Sequence, residues 1–262
     1  MTTLRELWDS GRPTVGGWCV MPGSFSAELM GRSGFDWVCV DTQHGLVGYD
    51  QMVPMLQALS ISGTAAFVRV RWNEPGEIMK ALDAGAQGVI VPMVNSAEEA
   101  RQAVGASRYP PEGYRSWGPV RAALGVDGYS PEVANRRTVV AIMIETDSGV
   151  ERMDDILAVP GVDAVYVGPN DLAVTHGMPP SATVESPEHA ELIGAILAGC
   201  QRHDVVAGIH CGSVETGQRW LEAGFRMLNV NSDAVFMRQQ AGAVVRALTD
   251  DRSAGPKSSS YA

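Results

Sequence analysis

The amino-acid sequence predicts a (β/α)8 barrel, and three observations carry that expectation. Eight short, β-branched apolar runs recur along the chain. Helix-like stretches with recognisable starts and stops separate them, and the 262 residues suit the length of such a barrel. The runs are near-continuous in hydrophobicity, as strands of a parallel sheet covered on both faces must be.

Taken in order, the expected strands are Val15–Val20, Asp36–Val40, Ala65–Val70, Gly88–Pro92, Val139–Glu145, Ala164–Gly168, Val206–His210 and Met227–Asn231. Between them, Thr3-Leu-Arg-Glu6 and Ser96-Ala-Glu-Glu99 have the capping-box pattern that opens a helix. Gly85 and Gly224 stand where helices end, in the phrases DAGAQGVIV and EAGFRMLNV. A doubly wound open sheet is the rival fold. It ordinarily carries a nucleotide loop, and the sequence has neither GxGxxG nor a Walker A pattern. The Pro-, Gly-, Tyr- and Arg-rich interval Ser107–Arg137 breaks the rhythm and reads as a functional connection or one with a small helix of its own. One barrel domain is expected over residues 1–249, followed by a tail at 250–262 with a frayed composition.

Composition narrows the function. Thirty Asp and Glu against twenty Lys and Arg give a net charge of −10, with 45% hydrophobic and 19% charged residues. That balance argues against disorder, and against nucleic acid or an anionic membrane as the main partner, since either calls for a basic footprint. Cys19, Cys39, Cys200 and Cys211 have no CxxC spacing and read as buried thiols of a reducing compartment. The N-terminus lacks a signal-peptide core, and no stretch approaches the ~20 apolar residues of a membrane span. A soluble cytoplasmic protein is expected.

In a barrel, chemistry gathers where strands end. The second strand runs into Asp41-Thr-Gln-His44-Gly, the third into Arg69-Val-Arg71, the fifth into Glu145-Thr, the sixth into Gly168-Pro-Asn-Asp171, and the seventh into His210-Cys211. Polar groups at one end of apolar strands read as a shared pocket. Glu145 and Asp171, on adjacent expected strands, would repel unless a cation or a proton lies between them. Two carboxylates plus water suit Mg²⁺ or Mn²⁺; the alternative is that either acid caps a helix. His44 could serve as a general base oriented by Asp83 or Asp41. Arg69 offers a planar donor fork to a carboxylate substrate, or a salt bridge to the barrel itself.

The set Asp41-Thr-Gln-His44-Gly, Phe67-Val-Arg69-Val, Leu82-Asp83-Ala-Gly-Ala-Gln-Gly, Val91-Pro-Met-Val, Arg108-Tyr-Pro-Pro-Glu-Gly, Ile144-Glu145-Thr and Val167-Gly-Pro-Asn-Asp171-Leu closely resembles the HpcH/HpaI aldolase family. These are class II, pyruvate-dependent aldolases typified by 4-hydroxy-2-oxoheptanedioate aldolase. The resemblance spans roughly residues 4–248. It implies a hexamer of barrels, commonly with the last helix exchanged between neighbours, and small-molecule substrates. It also implies a divalent cation (Mg²⁺, Mn²⁺ or Co²⁺) held by Glu145 and Asp171, and no organic cofactor. Arg69 would bind the enolate oxygen of pyruvate, backbone N–H groups around Asn170 and Asp171 its carboxylate, and His44, paired with Asp83, would move the proton. Trp18 and His210 are further candidate substrate contacts. The implied reaction is reversible cleavage of 4-hydroxy-2-oxo acids to pyruvate and an aldehyde. A Schiff-base lysine is not needed, and the only lysines, Lys80 and Lys257, fall in an expected helix and in the tail.

Departures from the family pattern cluster where the aldehyde should bind. Gln43 stands where Glu is common, Met143 where Gln is common, Leu-Ala-Val-Thr-His176-Gly follows Asp171, and His210-Cys211 ends the seventh strand. An oxaloacetate decarboxylase or macrophomate-synthase-like enzyme using the same enolate is the first rival. A citrate-lyase-β-like enzyme binding a CoA ester is the second; its phosphates would have to use Arg115, Arg121, Arg136 and Arg137. A catalytically silent barrel is the third.

Overall fold

A closed ring of eight parallel strands forms the centre of the molecule, each strand paired with its sequence neighbour and the last with the first. The computed structural model describes residues 3–249, so the expected tail at 250–262 lies outside the described residues. The strands are β1 (Thr14–Cys19), β2 (Trp37–Asp41), β3 (Ala65–Arg69), β4 (Gly88–Val91), β5 (Val139–Ile142), β6 (Ala164–Val167), β7 (Val206–Cys211) and β8 (Met227–Val230). All eight fall on the expected runs, and closure rules out the open-sheet rival.

Every residue of β2, β4, β5 and β6 is buried, which explains their unbroken hydrophobicity. Side chains pointing inward (Trp18, Trp37, Phe67, Ile90, Tyr166 and Met227 among them) fill the barrel, so it is a packed core and not a pore. Phe67 is fully buried, and burial of a side chain of that size contributes about 2–3 kcal/mol. Outward-facing residues pack against the helical ring. The expected capping box at Thr3 opens α1 (Leu4–Asp9) with both reciprocal bonds present, and its Leu4 and Trp8 join the interior cluster. Ser96 caps α5 (Ala97–Ser107) by accepting from the Glu99 N–H, while the Glu99 side chain takes the Asn95 N–H instead of completing the box. Gly85 and Gly224 follow α4 (Pro75–Asp83) and α11 (Val214–Ala223) with φ of +100° and +119°.

The interval 107–137 carries a small helix, α6 (Pro131–Arg137), and is anchored at the N-terminal ends of the strands. Buried Arg108 donates to Asp163 (2.9 Å) and to the carbonyl of Thr138 (2.8 Å), and Asp163 also takes Arg5 at 2.5 Å. Arg115 pairs with Asp83 at 2.7 Å, and Arg121 donates to the Ala84 carbonyl at 2.7 Å. This connection therefore staples the closed end of the barrel and leaves the opposite end to the chemistry.

Candidate active site

The mouth is built from the C-terminal ends of β1 to β8, and its best-defined feature is an ion pair between the last residues of two strands. Asp41 and Arg69 are register partners in the β2–β3 ladder. Arg69 Nε donates to Asp41 Oδ1 at 2.9 Å and Nη2 to Oδ2 at 2.5 Å. Asp41 is 1% exposed and accepts three more bonds. The N–H groups of Gln43 and His44 reach Oδ1 at 3.0 and 3.2 Å, and Trp18 Nε1 reaches Oδ2 at 3.2 Å. Burial pushes the Asp41 carboxyl up, but Arg69 and these donors outweigh it and hold it below the usual carboxylate range. Burial likewise opposes the Arg69 charge, and Asp41 more than restores it.

The His44 turn folds back over Asp41 because Gly45 lacks a side chain; a Cβ there would lie 2.2 Å from the Asp41 carbonyl oxygen. His44 itself is exposed at the mouth. Trp18 was expected to touch substrate. It is 2% exposed, and its indole is enclosed by stacked Tyr166 (5.5 Å), the edge of His210 (5.6 Å) and the Arg69 guanidinium (5.0 Å). Its place is that of a support beneath the ion pair. His210 faces the same cluster; burial and the nearby Arg69 lower its pKa to about 4 against the opposing pull of Asp41 and Asn229, so its ring is neutral.

Across the mouth lie the two acids. Glu145 stands three residues past the end of β5, not on the strand as expected, and Asp171 lies in the first turn of α9 (Pro169–Thr175) after β6. Regular pairing of β5 stops at Ile142, which lies opposite Val91, the last residue of β4, and Val165 of β6, so Glu145 lies beyond the ladder. Glu145 is 2% exposed and accepts the Met93 N–H at 2.8 Å. Its other oxygen rests against the backbone of Gly168, where a Cβ would approach to 2.3 Å. Burial raises its pKa to about 7, with the Met93 bond opposing, the Asp171 charge adding and Arg69 subtracting. Among the described residues neither acid forms an ion pair. Asn170 precedes Asp171 in the same turn, whose N-cap is Gly168 and therefore offers no capping side chain.

One expected pair does not form within the chain. Asp83 ends α4, which runs back along the barrel, so it sits at the N-terminal end of the strands, away from His44, with its carboxylate on Arg115. The same contacts weaken the CoA-ester reading, because Arg115 is buried on Asp83 and Arg121 is spent on the Ala84 carbonyl and Ser60. Spacing alone gives Met93 and Gly168 no place in the site, and marks Asp41 only as a partner for His44. Asp41 was legible as the arginine's anchor: an acid and a base ending consecutive strands of a parallel barrel face each other.

A parallel barrel with an ion pair and two acids around the mouth at the C-terminal ends of its strands has the form of a barrel enzyme. The chain belongs to the HpcH/HpaI aldolase/citrate lyase family, whose model matches residues 21–239, and is a lyase of the aldolase type. It is 37% identical to a hydroxypyruvate/pyruvate aldolase of Rhizorhabdus wittichii, over 94% of this chain and 98% of that protein. It is 34% identical to a 4-hydroxy-2-oxo-heptane-1,7-dioate aldolase of Escherichia coli, over 92% and 93% respectively. The crystal structure of an HpcH/HpaI aldolase from Desulfitobacterium hafniense superposes with a TM-score of 0.87 at 25% identity, covering 98% of this chain and 100% of that one. Among the described residues, no helix is long and apolar enough to cross a membrane.

Proposed function

We propose that this enzyme reversibly cleaves 4-hydroxy-2-oxo acids to pyruvate and an aldehyde, with Glu145 and Asp171 holding a divalent cation. The observation that carries the reading is the buried Glu145 carboxylate set against Asp171 without an ion-pair partner, across the mouth from a half-buried Arg69 fixed by Asp41. Two hard oxygen donors fit Mg²⁺, Mn²⁺ or Co²⁺ with water and substrate completing the shell. Among the described residues no third His, Cys, Asp or Glu joins them, which leaves room for substrate. A cation bound there supplies Lewis acidity toward a keto group.

The chain's own residues do the rest. In the cleavage direction His44, exposed at the mouth, takes the proton of the C4 hydroxyl. The C3–C4 bond breaks, its electron pair passes into the enolate, and the aldehyde leaves. Protonation at C3 then yields pyruvate. Arg69 places a positive charge where negative charge develops on the C2 oxygen. Because Asp41 and Trp18 hold the guanidinium in place beforehand, little reorganisation accompanies the step. The first turn of α9, with Asn170, receives the pyruvate carboxylate.

The implied hexamer with an exchanged last helix is part of the same proposal. In α12 (Asp233–Thr249) only Asp233 and Val235 are buried, while Met237, Val244, Val245 and Leu248 lie exposed. A His44–Asp83 pair, given their places at opposite ends of the barrel, can form only between copies of the chain. The test is pyruvate release from a 4-hydroxy-2-oxo acid before and after chelation. Activity should vanish on stripping and return with Mg²⁺, Mn²⁺ or Co²⁺; full activity in the stripped enzyme overturns the mechanism.

A further inference from the structure

Barrels that take phosphorylated substrates commonly hold the phosphate with main-chain N–H groups after the seventh and eighth strands and a nearby helix N-terminus. In this chain several of those donors are committed internally. After β7, the Gly212 N–H goes to the Ala182 carbonyl at 2.9 Å, and Ser213 Oγ accepts the Thr216 N–H at 3.1 Å. The guanidinium of that helix, Arg219, donates to the carbonyls of Thr183 (3.2 Å) and Val184 (3.1 Å).

After β8 the chain supplies an anion of its own. Asp233, 5% exposed, opens α12 and gathers four donors. Its Oδ1 accepts from the N–H groups of Val20 (2.9 Å) and Ala234 (2.8 Å), and its Oδ2 from the Ser26 hydroxyl (2.9 Å) and the Met21 N–H (3.4 Å). The Val20 carbonyl in turn accepts the Leu46 N–H at 2.9 Å. The carboxylate is therefore one peptide removed from the turn that carries His44.

We propose that Asp233 is a specificity-determining residue that closes this barrel to phosphorylated aldehydes, an inference that rests on the pyruvate-aldolase reading above. A phosphate group entering this corner meets a desolvated negative charge, donors already bonded, and a helix N-terminus whose partial charge Asp233 has neutralised. Exclusion comes from a built-in repulsion, not from a missing contact.

The experiment compares D-glyceraldehyde with D-glyceraldehyde 3-phosphate as acceptors for pyruvate, using the full chain with added Mg²⁺ or Mn²⁺. The wild-type kcat/KM should be at least about 30-fold lower for the phosphorylated aldehyde, and Asp233→Asn, which keeps an acceptor for Val20, should narrow that gap about tenfold. Equal use of both aldehydes by the wild type overturns the proposal, as does a folded Asp233→Asn with an unchanged gap. Should the variant not fold, the wild-type ratio decides. Calorimetry with inorganic phosphate gives a readout independent of turnover: phosphate should bind Asp233→Asn more tightly than wild type, and submillimolar binding to the wild type overturns the role. Failure of both aldehydes to react counts against the pyruvate-aldolase reading, while the phosphate titration still judges Asp233.

Discussion

The two sides of the barrel mouth are electrostatically opposite. On the β1–β3 side every charge has its partner: Asp41 and Arg69 form a two-pronged pair, Trp18 and two backbone N–H groups complete the carboxylate, and aromatic rings enclose the set. On the β5–β6 side a buried glutamate faces an aspartate with one backbone N–H for support. The first side is a finished piece of protein structure that happens to present a cation. The second carries an unrelieved cost, which the reading proposed above assigns to a bound cation.

Substitutions on the two sides should therefore part company, with the largest effect on activity shared and the effect on stability opposite in sign. Glu145→Gln and Arg69→Met should each lower kcat/KM for retro-aldol cleavage by about 10³-fold or more. Yet in chelator-treated protein Glu145→Gln should raise the unfolding free energy by about 1–2 kcal/mol, because the cost of burying a charge is removed and the repulsion from the exposed Asp171 is relieved. Arg69→Met should lower it by about 3 kcal/mol, since Asp41 is left charged, buried and unpaired. Urea unfolding of the three proteins measures both. A destabilised Glu145→Gln would mean that the β5–β6 side is already satisfied by the protein itself.

Ligand linkage sharpens the same contrast at smaller scale. Mn²⁺ at about 100 times its dissociation constant should stabilise the wild type by about 2.7 kcal/mol, and should do little for Glu145→Gln or Asp171→Asn. Arg69→Met should retain most of the metal-induced stabilisation, because its side of the mouth contributes no ligand. An equal loss in all three variants would merge the two sides into one site.

Trp18→Phe tests the finished side alone. The variant keeps the ring under Arg69 but deletes the N–H that Asp41 accepts. A cost of about 1 kcal/mol in stability is expected from the lost buried hydrogen bond. A several-fold fall in kcat with KM for the oxo acid nearly unchanged should accompany it, as befits a group acting through Arg69. A large rise in KM instead would return Trp18 to the role of a direct contact.

How far the sequence revealed this division follows from what spacing can encode. The strands were legible because burial on both faces forces unbroken apolar runs, and the polar residues at their ends marked the mouth. Glu145 reads as part of its strand because apolar character continues through Ile144; where the ladders to β4 and β6 end is a tertiary fact that one-dimensional pattern does not carry. The His44–Asp83 pair failed within the chain for a related reason: a residue ending a helix and a residue following a strand lie at opposite ends of a barrel, whatever motif they share. For Trp18 the pattern holds nothing that separates a substrate contact from a support; the rings of Tyr166 and His210 and the Arg69 guanidinium around it are a packing fact.

His210 gives the smallest effect and places the acid limit on the finished side. Its folded pKa is lowered from the ordinary 6.5 to about 4, so above pH 6.5 the ring is neutral both folded and unfolded and carries no penalty. As pH falls below 6.5 the unfolded chain takes up the proton first, and stability drains away until the folded ring titrates near 4. Between pH 7 and pH 5 this accounts for about 1–2 kcal/mol, after allowance for the ring's partial exposure. In His210→Gln that share of the pH dependence should disappear, so the wild type and the variant should converge or cross as the solution is acidified. Urea unfolding of both at pH 7, 6 and 5 measures the slope. Parallel slopes would mean that His210 takes up its proton as readily in the folded protein as in the unfolded chain, and the β1–β3 side would then be more open to water than its packing implies.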